Sequence, residues 1–230
     1  MGLNPAEWDA LKLSVQIALT AVSVSLPFGI VVGWLLAKKE FPGKIVVELI
    51  VMLPLVLPPV VTGFLLLMLL GRQGLVGGWL EQAFGLRLVF DWKGAAIASA
   101  VVAFPLMVRA IRLSFAAIDP RWEQMARSLG ARRGDAFWSV TLPLARPGII
   151  AGSVLAFARC IGEFGATIML AGNIPGETRT IPLFIYNQLE VPGGWERSYK
   201  LVLVSVLISA VALLAGELWE RRGKKRLYVV

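Results

Sequence analysis

Arg159 and Glu163 stand four residues apart and are the only charged side chains between residues 148 and 171. On one helix that spacing places both on a single face, where they can pair. Ionisable groups inside a membrane-length apolar run are costly and mark function by default. Gly152, Ala156 and Thr167 fall on the same stripe, so this face is small and polar and is predicted to point inward. Two readings follow. In one, the face lines an aqueous pathway in which Arg159 attracts an oxyanion and Glu163 keeps binding weak enough for release. In the other, the residues form a neutral pair on a packing surface that fixes the bundle. A second feature is the segment LPLVLPPVVTG, residues 53–63, with Pro54, Pro58 and Pro59. Each proline lacks the amide proton that would continue a helix. The carbonyls so released are tolerated where they line a cavity, although a simple kink would also satisfy the pattern. The pathway candidates are therefore Arg159, Glu163, Thr167, Pro58 and Pro59.

Residues 119–149 are polar and basic between two apolar segments, and they predict a compact helix-turn-helix knob on a membrane surface. Asp119 can cap a first short helix, with Pro120 at its first position and Gly130 as a left-handed stop. Gly134 and Asp135 can start a second, which Pro143 and Pro147 are expected to end. Gly130, Val140, Leu142 and Pro143 reproduce the spacing G-x9-[IV]-x-L-P of the "EAA" loop and so resemble ABC importer permeases, which dock this loop onto a separate ATPase. Where that family opens with Glu-Ala-Ala, this chain has Gln124-Met125-Ala126, with an acid one place earlier at Glu123. The resemblance implies docking through Glu123, Gln124, Met125, Ala126, Leu129, Gly130 and Ala131. The plainer alternative is an ordinary basic loop carrying an amphipathic helix.

Composition sets the environment that these residues share. The chain is 57% hydrophobic and 17% charged over 230 residues, and its mean hydropathy is +0.73. Those values belong to a bilayer protein. The net charge of +8 is read through topology, because basic residues collect in cytoplasmic loops; nucleic-acid binding explains it poorly. Histidine is absent and Cys160 is the single cysteine, so neither an internal disulfide nor the usual zinc or haem site can form. No metal and no cofactor are expected. There is no G-x4-G-K-[ST], H-E-x-x-H or G-x-S-x-G, so the chain is not expected to hydrolyse ATP or to act as an enzyme.

Apolar runs at 13–37, 45–70, 94–115, 148–171 and 201–219 predict an all-α integral membrane protein of five spans in one domain. The first, at about 38 Å, exceeds a hydrocarbon core of about 30 Å. It lacks a basic region before it and is too long for a cleaved signal, so it is expected to stay as a span. With the N-terminus outside, fifteen Lys and Arg residues fall on the inner side, in 38–44, 109–146 and 221–226. Seven fall outside: Lys12, Arg72, Arg87, Lys93, Arg179, Arg197 and Lys200. That asymmetry predicts N-outside and C-inside, a cytoplasmic 119–147 loop, and a basic tail held against anionic lipid. Residues 181–189, too short to span, are apolar enough to dip into a protein-lined vestibule.

Nearly the whole chain is similar to bacterial molybdate ABC-transporter permeases. The resemblance is carried by SLPFG (25–29), LPLVLPPVVTG (53–63), FPLMVRAIRLSF (104–115), TLPLARPGI (141–149) and VLAFARCIGEFGATIMLAGNIPGETRTIP (154–182). Sulfate and thiosulfate permeases share GEFGAT and the following Asn-x-Pro-Gly, while the ETRTIP continuation looks more like the molybdate branch. The resemblance implies a type I importer (MetI-like) fold in the bacterial inner membrane and a homodimer of this subunit. It also implies two copies of a cytoplasmic ATPase, an external molybdate-binding protein, and tungstate as a co-substrate. ATP binding would draw the knobs together and turn the pathway outward, and hydrolysis would reset it. A passive anion channel, which needs no knob, and a membrane scaffold, which needs no oxyanion, are the alternatives from other classes.

Overall fold

A computed structural model describes residues 3–227, and all regular structure among them is helical. The helix α1 (Pro5–Lys38) starts earlier than its apolar run because its cap is built from polar residues. Asn4 Oδ1 accepts the Glu7 N–H at 2.8 Å, and the Glu7 carboxylate accepts the Asn4 N–H at 2.7 Å. This reciprocal pairing satisfies two donors that a helix start leaves open. Four helical stretches are long and apolar enough to cross a membrane: Pro5–Lys38, Trp92–Ala116, Arg133–Ile161 and Ser198–Leu218.

The predicted second span is broken rather than kinked. It divides into α2 (Lys44–Val56) and α3 (Pro59–Leu70), which meet at a bend of 116°. Pro54 stays inside α2. The break comes where Pro58 and Pro59 remove two successive ladder bonds, which one proline alone does not do. After α4 (Leu75–Phe84) on the way back, α5 (Trp92–Ala116) forms the centre of the bundle, close to the predicted 94–115.

Small residues set how the helices approach α5. A Cβ on Gly33 would lie 2.7 Å from the Ile111 side chain, and one on Gly29 would lie 2.8 Å from Met107. Lys38 Nζ then donates to the Ile118 carbonyl at 2.7 Å. Gly29 to Met107, Gly33 to Ile111 and Lys38 to Ile118 advance together, so α1 and α5 run parallel. Gly148 faces Ser114, Gly152 faces the Met107 carbonyl, and Cys160 Sγ lies 3.5 Å from the Ser99 carbonyl. That order is reversed, so α8 (Leu142–Ile161) is antiparallel to α5. The core where the three meet contains Ala18, Ala21, Ala103, Met107, Ile111, Phe115, Ala156 and Ile161.

Two sequence expectations are corrected here. Pro143 and Pro147 do not end the second short helix: α7 (Arg133–Ala136), a π-helical segment (Phe137–Thr141) and α8 follow without interruption. A proline clashes with the carbonyl four residues before it, and widening the turn to π just ahead of Pro143 accommodates the ring. The fourth span, read as one helix over 148–171, stops at Ile161 and restarts as α9 (Gly165–Ala171). Beyond it lie α10 (Ile181–Leu189) and α11 (Gly194–Leu227). Residues 181–189 thus form a short helix whose Ile181 and Phe184 pack with Ala10 and Leu201. Gly216 of α11 rests on Val154, whereas Ser205 and Ser209 border a cavity with Ile161, so α11 is antiparallel to α8. The side chains of the basic tail, 221–226, lie outside the described residues.

Candidate functional site

The knob forms largely as its local chemistry dictates. In α6 (Pro120–Ser128), Asp119 Oδ1 accepts the Arg121 N–H at 2.9 Å, and Pro120 occupies the first turn. At the other end Ala131 N–H donates to the Ala126 carbonyl at 3.1 Å and Gly130 N–H to the Arg127 carbonyl at 3.0 Å. With Gly130 at φ +96°, this is a Schellman stop. The second short helix starts at Arg133, one residue before the predicted Gly134, and the Asp135 carboxylate accepts the Arg132 N–H at 3.2 Å.

Gln124, Met125, Leu129 and Gly130 are exposed, while Glu123, Ala126 and Ala131 are half-buried. Leu129 is 89% exposed, and Trp122, Met125 and Trp138 are also open on this polar segment. Large apolar side chains exposed together mark a surface that meets another protein or the membrane. Trp122 and Trp138 were not among the residues singled out from the sequence, although both lie in a basic segment where tryptophan has no core to fill. Phe137 ties the knob to the bundle through Trp34 of α1, at 5.6 Å between ring centroids, and Phe115 of α5, at 6.4 Å.

The second group of candidates gathers around the break between α8 and α9. Glu163 sits beyond the end of α8, with Gly162 before it and Phe164 after it. Its Oε1 accepts the Ala166 N–H at 2.7 Å, satisfying an open donor at the start of α9. Its Oε2 is 2.7 Å from Arg159 Nη1 but off the line of that N–H, so the contact is an ion pair without an aligned hydrogen bond. The predicted pairing is therefore present, although the residues do not share one helix. The Glu163 side chain is 1% exposed and that of Arg159 30%.

Thr167 does not offer its hydroxyl to an open path. It is buried and donates to the Phe164 carbonyl at 2.9 Å. Gly152 and Ala156 are buried as well, with Gly152 pressed on the α5 backbone, so this part of the stripe packs helix against helix. Arg159 alone among these residues of α8 combines charge with access.

The two helix breaks meet. A Cβ on Gly165 would lie 2.9 Å from Pro59 Cβ, and one on Gly63 would lie 2.8 Å from the Ala166 Cα and carbonyl oxygen. Pro59 and Gly165 begin their helices side by side, and α3 and α9 continue in the same direction. Pro58 is exposed at this junction and Pro59 half-buried. Gly63 and Gly165 were not read as site residues. The pair Gly162 and Gly165, three apart beside an intramembrane acid, was the available signal for the second break.

The loop after α9 explains the GNIPGETRT motif physically. The Ile174 carbonyl accepts N–H groups from Glu177, Thr178 and Arg179 at 3.0–3.2 Å, and the Thr178 hydroxyl accepts the Ile174 N–H at 2.9 Å. Arg179 Nε donates to Asn173 Oδ1 at 2.8 Å, closing the loop on itself.

Residues 26–225 match the family described as binding-protein-dependent transport system inner membrane component. The chain is 50% identical over 226 residues to the molybdenum transport system permease protein ModB of Escherichia coli (strain K12), covering 98% of this chain and 99% of that one. It is 34% identical to the sulfate transport system permease protein CysW of a Synechocystis strain, over 93% of this chain and 77% of the relative. Among solved structures, a bacterial alginate ABC transporter in complex with a pentasaccharide-bound periplasmic protein superposes with a TM-score of 0.75. That match has 19% identity and covers 95% of this chain and 80% of that one.

Proposed function

The chain belongs to the binding-protein-dependent transport system inner membrane component family, and from that premise we propose that it is the membrane subunit of an ABC importer for molybdate and tungstate. The observation that carries the reading is the 50% identity, end to end, to a molybdenum permease, against 34% to a sulfate permease. The knob supports the mode of action. It presents Trp122, Met125, Leu129 and Trp138 to a partner while Phe137 links it to α1 and α5. The partners are two cytoplasmic ATPases, an external molybdate-binding protein and a second copy of this subunit. The chain itself is non-catalytic.

The proposed topology has five crossings, with the N-terminus outside and the C-terminus inside. Its support is directional. Because α1 and α5 are parallel, the chain between them must return across the bilayer, and α2 with α3 is the segment available. Arg112 pairs with Glu48 near the start of α2, and Leu67 and Leu70 of α3 pack against a cluster that contains Ala98 and Val102 of α5, contacts near both ends of α5 that support reading the broken pair as one crossing. A cysteine at Leu129 should react with an impermeant maleimide only from the cytoplasmic face, and one at Leu75 only from outside. The reverse pattern would overturn both orientation and docking.

Function is tested on the complex reconstituted with its ATPase. Binding protein loaded with molybdate should stimulate ATP hydrolysis, and Gly130→Val should abolish that stimulation or uncouple it from uptake. The glycine has open space around it, so the cost is backbone strain of about 1–2 kcal/mol, which redirects α7. Conduction of molybdate without nucleotide would make the chain a channel. Normal coupled transport by the valine variant would reduce the knob to a basic loop.

A further inference from the structure

Glu163 has two duties that pull against each other. One carboxylate oxygen holds the first turn of α9 through the Ala166 N–H at 2.7 Å. The other holds Arg159 of α8 at 2.7 Å with no aligned hydrogen bond. The acid is almost fully enclosed, whereas the Arg159 side chain is 30% exposed. An ion pair of this kind is asymmetric in its response to a competing anion. A dianionic oxyanion arriving from the open side can engage the free edge of Arg159, because a guanidinium carries donors in a planar fork suited to such groups. Glu163 cannot follow it outward. Its charge would then be enclosed without a counter-charge, a state costly enough to drive rearrangement.

The place to rearrange lies beside it. Residues 162–164 are the non-helical joint between α8 and α9. On the far side of that joint α9 is locked to α3 by Gly63 on Ala166 and Gly165 on Pro59. At their starts α3 and α9 are joined to α2 and α8 only by breaks at one level, 57–58 and 162–164, and Ala166 and Leu170 of α9 rest with α3 on Ala98 and Val102 of α5, so the pair has α5 as the surface over which it can shift.

Resting on the proposed molybdate transport and on the first of the two sequence readings of Arg159, as a pathway residue, we infer that Glu163 is a positioning residue that latches the α3–α9 pair. Oxyanion capture of Arg159 releases the latch, and the pair moves as one body about the two breaks. By reciprocity, the position of that body sets how strongly Arg159 holds an oxyanion. The joint thus couples occupancy to movement of the half-helices, separately from any movement that begins at the knob.

The test uses the complete complex in nanodiscs. Spin labels are placed at Met68 of α3 and Leu155 of α8, both exposed, with Cys160 replaced by alanine. Each complex carries the labels on one of its two subunit copies, and saturating molybdate, without nucleotide, should introduce a second distance between them. In Glu163→Gln, whose amide oxygen can still accept the Ala166 N–H but carries no charge, that second distance should be present before molybdate is added and should not respond to it. Arg159→Gln should behave likewise, which keeps the question open to measurement if one variant assembles poorly. A molybdate response in Glu163→Gln equal to that of the parent would overturn the latch. So would a parent that transports molybdate with no change of distance, a result that leaves the transport reading intact. A complex that neither transports molybdate nor is stimulated by it would remove both.

Discussion

Gly63→Val should separate α3 from α9 and abolish molybdate uptake while the knob still binds its ATPase. A Cβ at this position meets the Ala166 Cα and carbonyl oxygen and Met169 Cβ, all at 2.8 Å. Backbone atoms cannot rotate aside as a flexible side chain can, so the helices must move. Overpacking of this kind costs about 1–3 kcal/mol, and the two further carbons of valine put it at the upper end. The thermal midpoint of the purified protein should fall, with Gly63→Ala falling less. A valine variant with the parent's midpoint and uptake would show that the contact between the half-helices is dispensable.

Arg159→Ala should be more damaging to assembly than Arg159→Ala combined with Glu163→Ala. Removing the base leaves a carboxylate that is 1% exposed without its counter-charge. Breaking a buried pair from one side costs about 3–5 kcal/mol, and the partial exposure of Arg159 places this case near the lower figure. The double variant removes the stranded charge, although it also loses the Ala166 cap, so assembly should return only in part and transport should not return. Yield of folded complex and molybdate uptake read the two effects separately. Equal loss in single and double variants would mean that the residues do not support one another, and normal uptake by the double variant would remove this face from the pathway.

What was legible in the sequence divides by the range of the interaction that decides it. The α6 start at Asp119 and Pro120 and its stop at Gly130 depend on side chains within a few residues, and both formed as expected. The extent of α5 followed equally directly from its apolar run. The break at Pro58 and Pro59 was visible as chemistry, but its 116° angle depends on what α3 packs against, and Ala166 is a hundred residues away. The second break was invisible to hydropathy because Gly162, Phe164 and Gly165 interrupt no apolar run. The Arg159–Glu163 pair illustrates the limit well. Their spacing on an imagined continuous helix led to the correct contact, while the carboxylate reaches it from a non-helical joint and caps a second helix at the same time.

The π-helical segment Phe137–Thr141 has a bearing on the tolerance of this protein to insertion and deletion. It places one residue more in the turn than an α-helix would hold, inside a rod that runs from Arg133 to Ile161. Each residue of an α-helix turns the chain by about 100°, so losing that surplus residue would swing everything before it by about that angle against everything after it. The face of α8 that packs on α5 is fixed by Gly148 and Gly152, so the swing would fall on the knob. The heading of Trp122 and Leu129 is thus set by arithmetic along the chain as much as by contacts. Homologous proteins should conserve the number of residues between Gly130 and Gly148 more strictly than their identities.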